Sequence, residues 1–309
     1  MTASHVGARL FGHELLVVTG KGGVGKTTVS AALAVAAARR GLRTIVAEVS
    51  ARDDVTRALG RDNARRDREV ELEFGVHHTS IEPQAALRDY LDDQLPSPVA
   101  EILSSSRAFS YLAAATPGLR ELLTVGKVWE LAQETRRRKQ DRSYDLVILD
   151  APASGHGVAV LTAPATFART ARVGRIARQA ATIDALVTDA QRTAVVAVAR
   201  PEELPVNETL ALQWALGSRT GLALSLAVAN RVSPKRFSSD EARALDAHAG
   251  DLVVDAARRR HVRARSEHAQ LARLRRGLDC PVVGLHDLFQ PALDAESIGE
   301  LAGDLERVL

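Results

Sequence analysis

Apolar and polar positions along the chain follow two alternating regimes. Residues 14–19 (ELLVVT) are a short apolar run, rich in β-branched side chains and closed by Gly20, which is the pattern of a buried strand. Residues 26–40 (KTTVSAALAVAAARR) are alanine-rich and end at Gly41, which predicts a helix. A second strand is predicted over 43–49. Strand, glycine loop, helix and strand in that order open a parallel α/β sheet. Residues 61–73 (RDNARRDREVELE) are a charge run read as a solvated loop, leading to a short strand near 76–81. Sheet patterning resumes at 144–149, 194–199, 222–229 and 281–285, each run followed by a helical stretch, and 295–308 predicts a final helix.

Residues 84–140 have a different texture. Leucine and alanine recur at helical spacing (Ala86, Leu87, Tyr90, Leu91), punctuated by Pro96, Pro98 and Pro117–Gly118. This predicts a helical insertion, with further helical segments at about 156–190 and a basic helical stretch over 239–276. The chain has no internal repeat and no low-complexity linker. The expectation is a single α/β domain over 1–309: a mostly parallel twisted sheet flanked by helices, with a helical subdomain inserted.

Composition narrows the function classes. Cys280 is the one cysteine, which excludes an intramolecular disulfide framework, a CxxC zinc site and a cysteine-ligated cluster within one chain. It fits a reducing cytoplasm. The 41 basic and 38 acidic residues leave a net charge of +3, too balanced to point to nucleic acid or a membrane surface. No run approaches the roughly 18 apolar residues of a membrane span, and the first residues carry no secretory h-region. Lysine is scarce, and two of the five (Lys21, Lys26, Lys127, Lys139, Lys235) fall within six residues of each other.

Those two lysines belong to Gly20-Lys21-Gly22-Gly23-Val24-Gly25-Lys26-Thr27, followed by Thr28. The run matches GxxxxGK[ST] in full and lies between a predicted strand and a predicted helix. Its glycines let backbone N–H groups turn inward around a phosphate, and the helix N-terminus adds positive potential there. Lys26 is placed to reach the β- and γ-phosphates of ATP, and Thr27 to ligate Mg²⁺. A second signal is Asp145-Leu146-Val147-Ile148-Leu149-Asp150, continuing as Ala151-Pro152-Ala153-Ser154-Gly155-His156. Asp150, at the end of an apolar strand, reads as the second Mg²⁺ partner, and the backbone N–H of Gly155 as a contact to the terminal phosphate.

Lys21, at the second loop position, is the mark of the deviant Walker A ATPases. The resemblance implies that it reaches the nucleotide of a partner subunit, where a cation supplied in trans stabilises charge developing on the transferred phosphoryl group. The run DAPASGH resembles the DTAPTGH switch II of the ArsA-like ATPases, which include the arsenite-pump ATPase and the targeting factor for tail-anchored membrane proteins. Pro117-Gly118-Leu119-Arg120-Glu121 resembles a PG-x-x-E segment of that family. Pro201-Glu202 through Asn207-Glu208-Thr209 resembles its PE-x-x-x-x-x-ET segment. Val228-Ala229-Asn230-Arg231 resembles a loop whose asparagine binds adenine. The chain is similar to the short actinobacterial-type ion-transporting ATPase branch. The resemblance implies a cytoplasmic, Mg²⁺-dependent ATPase, working as a homodimer or as a heterodimer with a paralogous ATPase, that serves a membrane transporter or a membrane-protein client.

The departures matter as much. Ser50 stands where the family's switch I has the aspartate that activates water, and an unperturbed hydroxyl is no general base. Glu48, two residues back on the same strand face, is the substitute carboxylate, with Asp53 and Asp54 as further candidates. Hydrolysis is then slow or Glu48-dependent. No zinc or cluster is expected. Arg169, Arg172, Arg175 and Arg178 occupy the segment where a groove for a transmembrane helix would need methionine and leucine. Eight arginines over 258–276 read as a solvated helix face. A protein of another class remains open: a nucleotide-gated scaffold of MinD or ParA type that rarely hydrolyses. Asn230-Arg231-Val232-Ser233 is not the NKxD guanine reader, which disfavours a GTPase.

Overall fold

The computed structural model describes residues 7, 9–49, 53–60, 69–94, 98, 101–102, 106, 116–133, 143–152, 157–171, 174–246, 250–290 and 292–309. The apolar run at 14–19 forms β1 (Leu15–Thr19), every residue of which is buried. The alanine-rich run forms α1 (Lys26–Arg39). There follow β2 (Thr44–Glu48), α2 (Asp54–Ala58), β3 (Val70–Glu71), a 3₁₀ turn (Glu73–Gly75), β4 (His77–Ser80), α3 (Pro83–Gln94) and α4 (Leu119–Leu131). The second half contains β5 (Leu146–Asp150), α5 (Gly157–Ala171), α6 (Arg175–Val187), β6 (Thr193–Ala199), α7 (Glu203–Thr220) and β7 (Leu224–Val232). It closes with α8 (Ser239–Asp246), α9 (Leu252–Gly277), β8 (Val282–His286) and α10 (Ala295–Val308).

The strands form one eight-stranded sheet in the order β3-β4-β2-β5-β1-β6-β7-β8. All neighbours pair in parallel except β3, which runs antiparallel to β4. β1 sits between β5 and β6. From β1 the chain goes to one side for β2 and β5, then to the other side for β6, β7 and β8. That reversal opens a crevice at the carboxyl end of β1, where open α/β sheets place their ligands. Register sets Asp150 opposite both Val18 and Glu48, and Glu48 opposite Ser80. These residues therefore lie at one level along the carboxyl edge.

Alternate strand residues feed two cores, one on each face of the sheet. Leu16 and Val18 pack with α1 and with Ile298, Leu301 and Leu305 of α10. Leu15 and Val17 pack on the other face with Val125, Val128 and Leu131 of α4, Leu161 of α5, Leu186 of α6 and Leu216 of α7. The alanines of α1 are buried from Ala31 to Ala37, because the helix is pressed between the sheet and α10 and only small side chains allow that approach.

Several elements differ from the sequence expectation. Within the segment 84–140, the described α4 packs on the sheet through Val125, Val128 and Leu131. β3 emerges from the end of the charge run, because its backbone completes the sheet edge beside β4. The basic stretch 239–276 divides into α8 and α9, with Gly250 at φ +102° and Asp251 capping α9 through the N–H groups of Val253 and Val254. Arg169 lies in α5, whereas Arg175 and Arg178 lie in α6, which Gly174, at φ +105°, precedes. No helix among the described residues is long and apolar enough to cross a membrane.

Candidate active site

The loop Gly20–Thr28 leaves β1 at the crevice and turns into α1. Gly25 caps that helix in the left-handed region, at φ +92°. A side chain there would also collide with Asn230, whose Nδ2 would lie 2.2 Å from its Cβ. Asn230, buried at the end of β7, donates through Nδ2 to the carbonyl of Val24 at 2.9 Å. The Val24 side chain is sunk in the core beneath α1. The loop is thus pinned from below at one residue, while Gly22 and Gly23 are exposed and Thr28 is half-buried. Through this bond Asn230 supports the loop.

Asp150 is the centre of the arrangement. It is 6% exposed, and both carboxylate oxygens are engaged by α1: Thr27 Oγ1 donates to Oδ2 at 2.6 Å and Ser30 Oγ to Oδ1 at 3.2 Å. Ser30 was not anticipated. Its signal was its position three residues after Thr27, which puts both hydroxyls on one helix face. Burial pushes the Asp150 pKa up to about 6; the charge of Glu48 adds to this, and the Thr27 hydroxyl and Lys26 oppose it. Lys26 Nζ donates to the carbonyl of Lys21 at 3.2 Å. Burial lowers its pKa, against the attraction of Asp150.

Glu48 is fully buried and fully engaged. The backbone N–H of Asp54 donates to Oε1 and that of Val55 to Oε2, each at 3.1 Å. His78 Nε2 donates to Oε2 at 3.2 Å. Burial would raise the Glu48 pKa, but the hydrogen bonds from His78, Val55 and Asp54 outweigh it and the net shift is downward. Glu48 therefore holds the start of α2 against β4. Asp53, at φ +52°, accepts a hydrogen bond from Ser80 Oγ. Asp54 pairs with Arg57 at 3.0 Å on the surface. Ser50 and the run 153–156, with Gly155, lie outside the described residues.

Lys21 extends across the mouth of the loop to α7, where its Nζ meets Glu208 Oε1 at 2.7 Å. Thr19, the last residue of β1, has a buried hydroxyl without a hydrogen-bond partner among the described residues. Gly157, the first residue of α5, lies against it, so close that a Cβ there would come within 2.0 Å of Thr19 Oγ1. Beyond β7, Glu267 of α9 is 4% exposed; it accepts from Arg263 Nε at 2.7 Å and from the backbone N–H of Ser233 at 2.8 Å. Arg260 lies over the Phe289 ring at 4.3 Å. Part of the basic helix is therefore committed to its own fold. Cys280 is half-buried, and among the described residues no group of three or more His, Cys, Asp or Glu could hold a metal ion.

The donor set at the loop fits a magnesium nucleotide. A hydroxyl and a carboxylate supply hard oxygen ligands, an ammonium lies beside them, and a helix N-terminus faces the crevice.

Comparison with known proteins agrees with this geometry. The sequence profile described as anion-transporting ATPase (ArsA) matches residues 13–180, from just before β1 into α6. ATPase BagA of Mycobacterium tuberculosis is 29% identical over 257 residues, covering 81% of this chain and 74% of that protein. ATPase GET3 of Kluyveromyces lactis is 29% identical over 164 residues, 51% of this chain and 47% of that protein. ATPase GET3 of Candida glabrata is 28% identical over 168 residues, with the same coverage of 51% and 47%. A match over more than half of the chain, on a parallel sheet with its phosphate loop at the switch point, places the family: the chain belongs to the anion-transporting, ArsA-like ATPases.

Proposed function

We propose that the chain binds ATP with Mg²⁺ in the crevice at the end of β1, hydrolyses it slowly, and uses nucleotide state to govern pairing with a second ATPase subunit. The observation that carries this reading is the convergence of Lys26, Thr27 and Asp150 at one point of the carboxyl edge. Gly20 through Thr28 form the phosphate cradle. Lys26 leaves the Lys21 carbonyl and turns its ammonium to the β- and γ-phosphates. Thr27 and Asp150 hold the metal, and Ser30 keeps the Asp150 carboxylate aimed. Mg²⁺, when bound, supplies charge neutralisation at the phosphate oxygens. Lys21 serves the neighbouring subunit's site, and Gly155 the terminal phosphate. Asn230 orders the loop from below and is the residue that meets the base.

Slow turnover follows from Glu48. Its oxygens accept three hydrogen bonds and its pKa is lowered, so it is a poor proton acceptor and acts by positioning α2. The same observation supports the second reading, a nucleotide-gated scaffold. The partner is a membrane transporter, in keeping with the family's description as anion-transporting, or a membrane-protein client, as the resemblance of its motifs implies. The experiment is direct. The purified full chain is sedimented with ATP and Mg²⁺ or with ATP and EDTA, and phosphate release is followed with and without membranes. ATP- and Mg²⁺-dependent pairing with measurable release supports the ATPase; pairing with no release above background supports the scaffold; absence of ATP binding contradicts both.

A further inference from the structure

Lys21 is held at two points within its own chain. Its carbonyl accepts from Lys26 Nζ at 3.2 Å, and its ammonium pairs with Glu208 at 2.7 Å, on a helix 187 residues away. Both partners of the ion pair are about a third exposed. A pair so exposed is worth little. It can orient the lysine in the single chain yet give way to a multiply charged phosphate group. The first hold belongs to the nucleotide site: the ammonium on the Lys21 carbonyl is the one expected to turn to the phosphates.

We propose that Glu208 is a positioning residue that parks Lys21 in cis, and that arrival of a nucleotide phosphate group, by drawing Lys26 away, releases the loop end of this latch so that Lys21 swings from Glu208 to the second subunit. Glu208 then acts on the pairing step, not on phosphoryl transfer. The inference rests on the reading of Lys21 as a residue acting in trans.

The test compares wild type, Glu208→Gln, Glu208→Asp and Lys21→Ala as full chains, measuring ATP turnover against protein concentration, with a fluorescent ATP analogue reporting nucleotide affinity. Removing the carboxylate makes Lys21 available sooner. Glu208→Gln is expected to raise turnover roughly 3-fold at low protein concentration, the gain fading as concentration drives pairing, because an exposed ion pair of this kind is weak. Analogue affinity and melting temperature stay near wild type. Glu208→Asp, which retains a carboxylate, stays close to the wild-type rate. In the Lys21→Ala background, Glu208→Gln changes nothing. Unchanged or reduced turnover in Glu208→Gln, with Lys21→Ala inactive, overturns the latch and leaves the trans reading intact. Wild-type turnover in Lys21→Ala overturns the trans reading itself.

Discussion

Asp150 is a carboxylate kept where water cannot stabilise its charge. With its folded-state pKa raised from 3.8 to about 6, protonation favours the fold below the unfolded value, and that contribution is lost as pH rises through the folded value. Above about pH 6 the nucleotide-free protein carries a charge that destabilises it. Asp150→Asn is therefore expected to raise the stability of the nucleotide-free chain at pH 7.5 by up to about 3 kcal/mol, and much less at pH 4.5, while abolishing turnover. Melting curves at the two pH values check this; a fall in melting temperature at pH 7.5 contradicts it. Cys280 gives a second test at this scale. Burial pushes its thiol up to about 11, so it is a packing residue and not a nucleophile. At pH 8 its alkylation by iodoacetamide is expected to be on the order of 100-fold slower than that of a free thiol, and to reach the free rate only on unfolding. Alkylation of the folded chain at the free-thiol rate contradicts that.

At the scale of elements, the site depends on how α1 and α2 are seated. Gly25→Ala forces a Cβ against Asn230 at a backbone angle hostile to side chains. The expected result is a loss of ATP affinity of at least 10-fold by calorimetry, with the rest of the fold retained. Glu48→Gln turns one of the two buried carboxylate oxygens, which together accept from the N–H groups of Asp54 and Val55 and from His78, into an N–H donor. It is expected to destabilise the chain by about 1–3 kcal/mol in urea titrations, with α2 fraying first by hydrogen exchange. Turnover falls in proportion to the mobility of α2. Unaltered stability would show that the Asp54, Val55 and His78 contacts are replaceable.

The elements were legible where periodicity and end signals agreed. ELLVVT closed by glycine, and KTTVSAALAVAAARR closed by glycine, form β1 and α1 within a residue or so of the expectation. β3 was not legible because a two-residue edge strand is specified by its neighbour β4 and not by its own charged sequence. The break between α8 and α9 was signalled by Gly250 and the capping Asp251, but the arginine run concealed it.

For the whole molecule, topology gathers what sequence leaves dispersed. Thr27 and Asp150 were readable as partners because their motifs are specific. Glu208, by contrast, belonged to a segment read only by resemblance, with no role attached, since a contact spanning 187 residues leaves no trace in local pattern. The commitment of Glu48 was equally hidden: strand periodicity only puts it on the same face as residue 50, and its lock onto α2 and His78 depends on β4 lying next to β2. The same topology leaves Gly22 and Gly23 exposed at the molecular surface, with Lys21 half-buried beside them.

The most direct measurement mixes two inactive full-length variants, Lys21→Ala and Asp150→Asn, with ATP and Mg²⁺ present. If each subunit lends Lys21 to its neighbour, the mixed pair has one complete site, formed by the loop and Asp150 of the first variant and Lys21 of the second. Turnover is then expected to recover to about a quarter of the wild-type rate, since about half of the pairs are mixed and one site in each is complete. A mixture as inactive as its components, although sedimentation shows mixed pairs, would contradict action in trans.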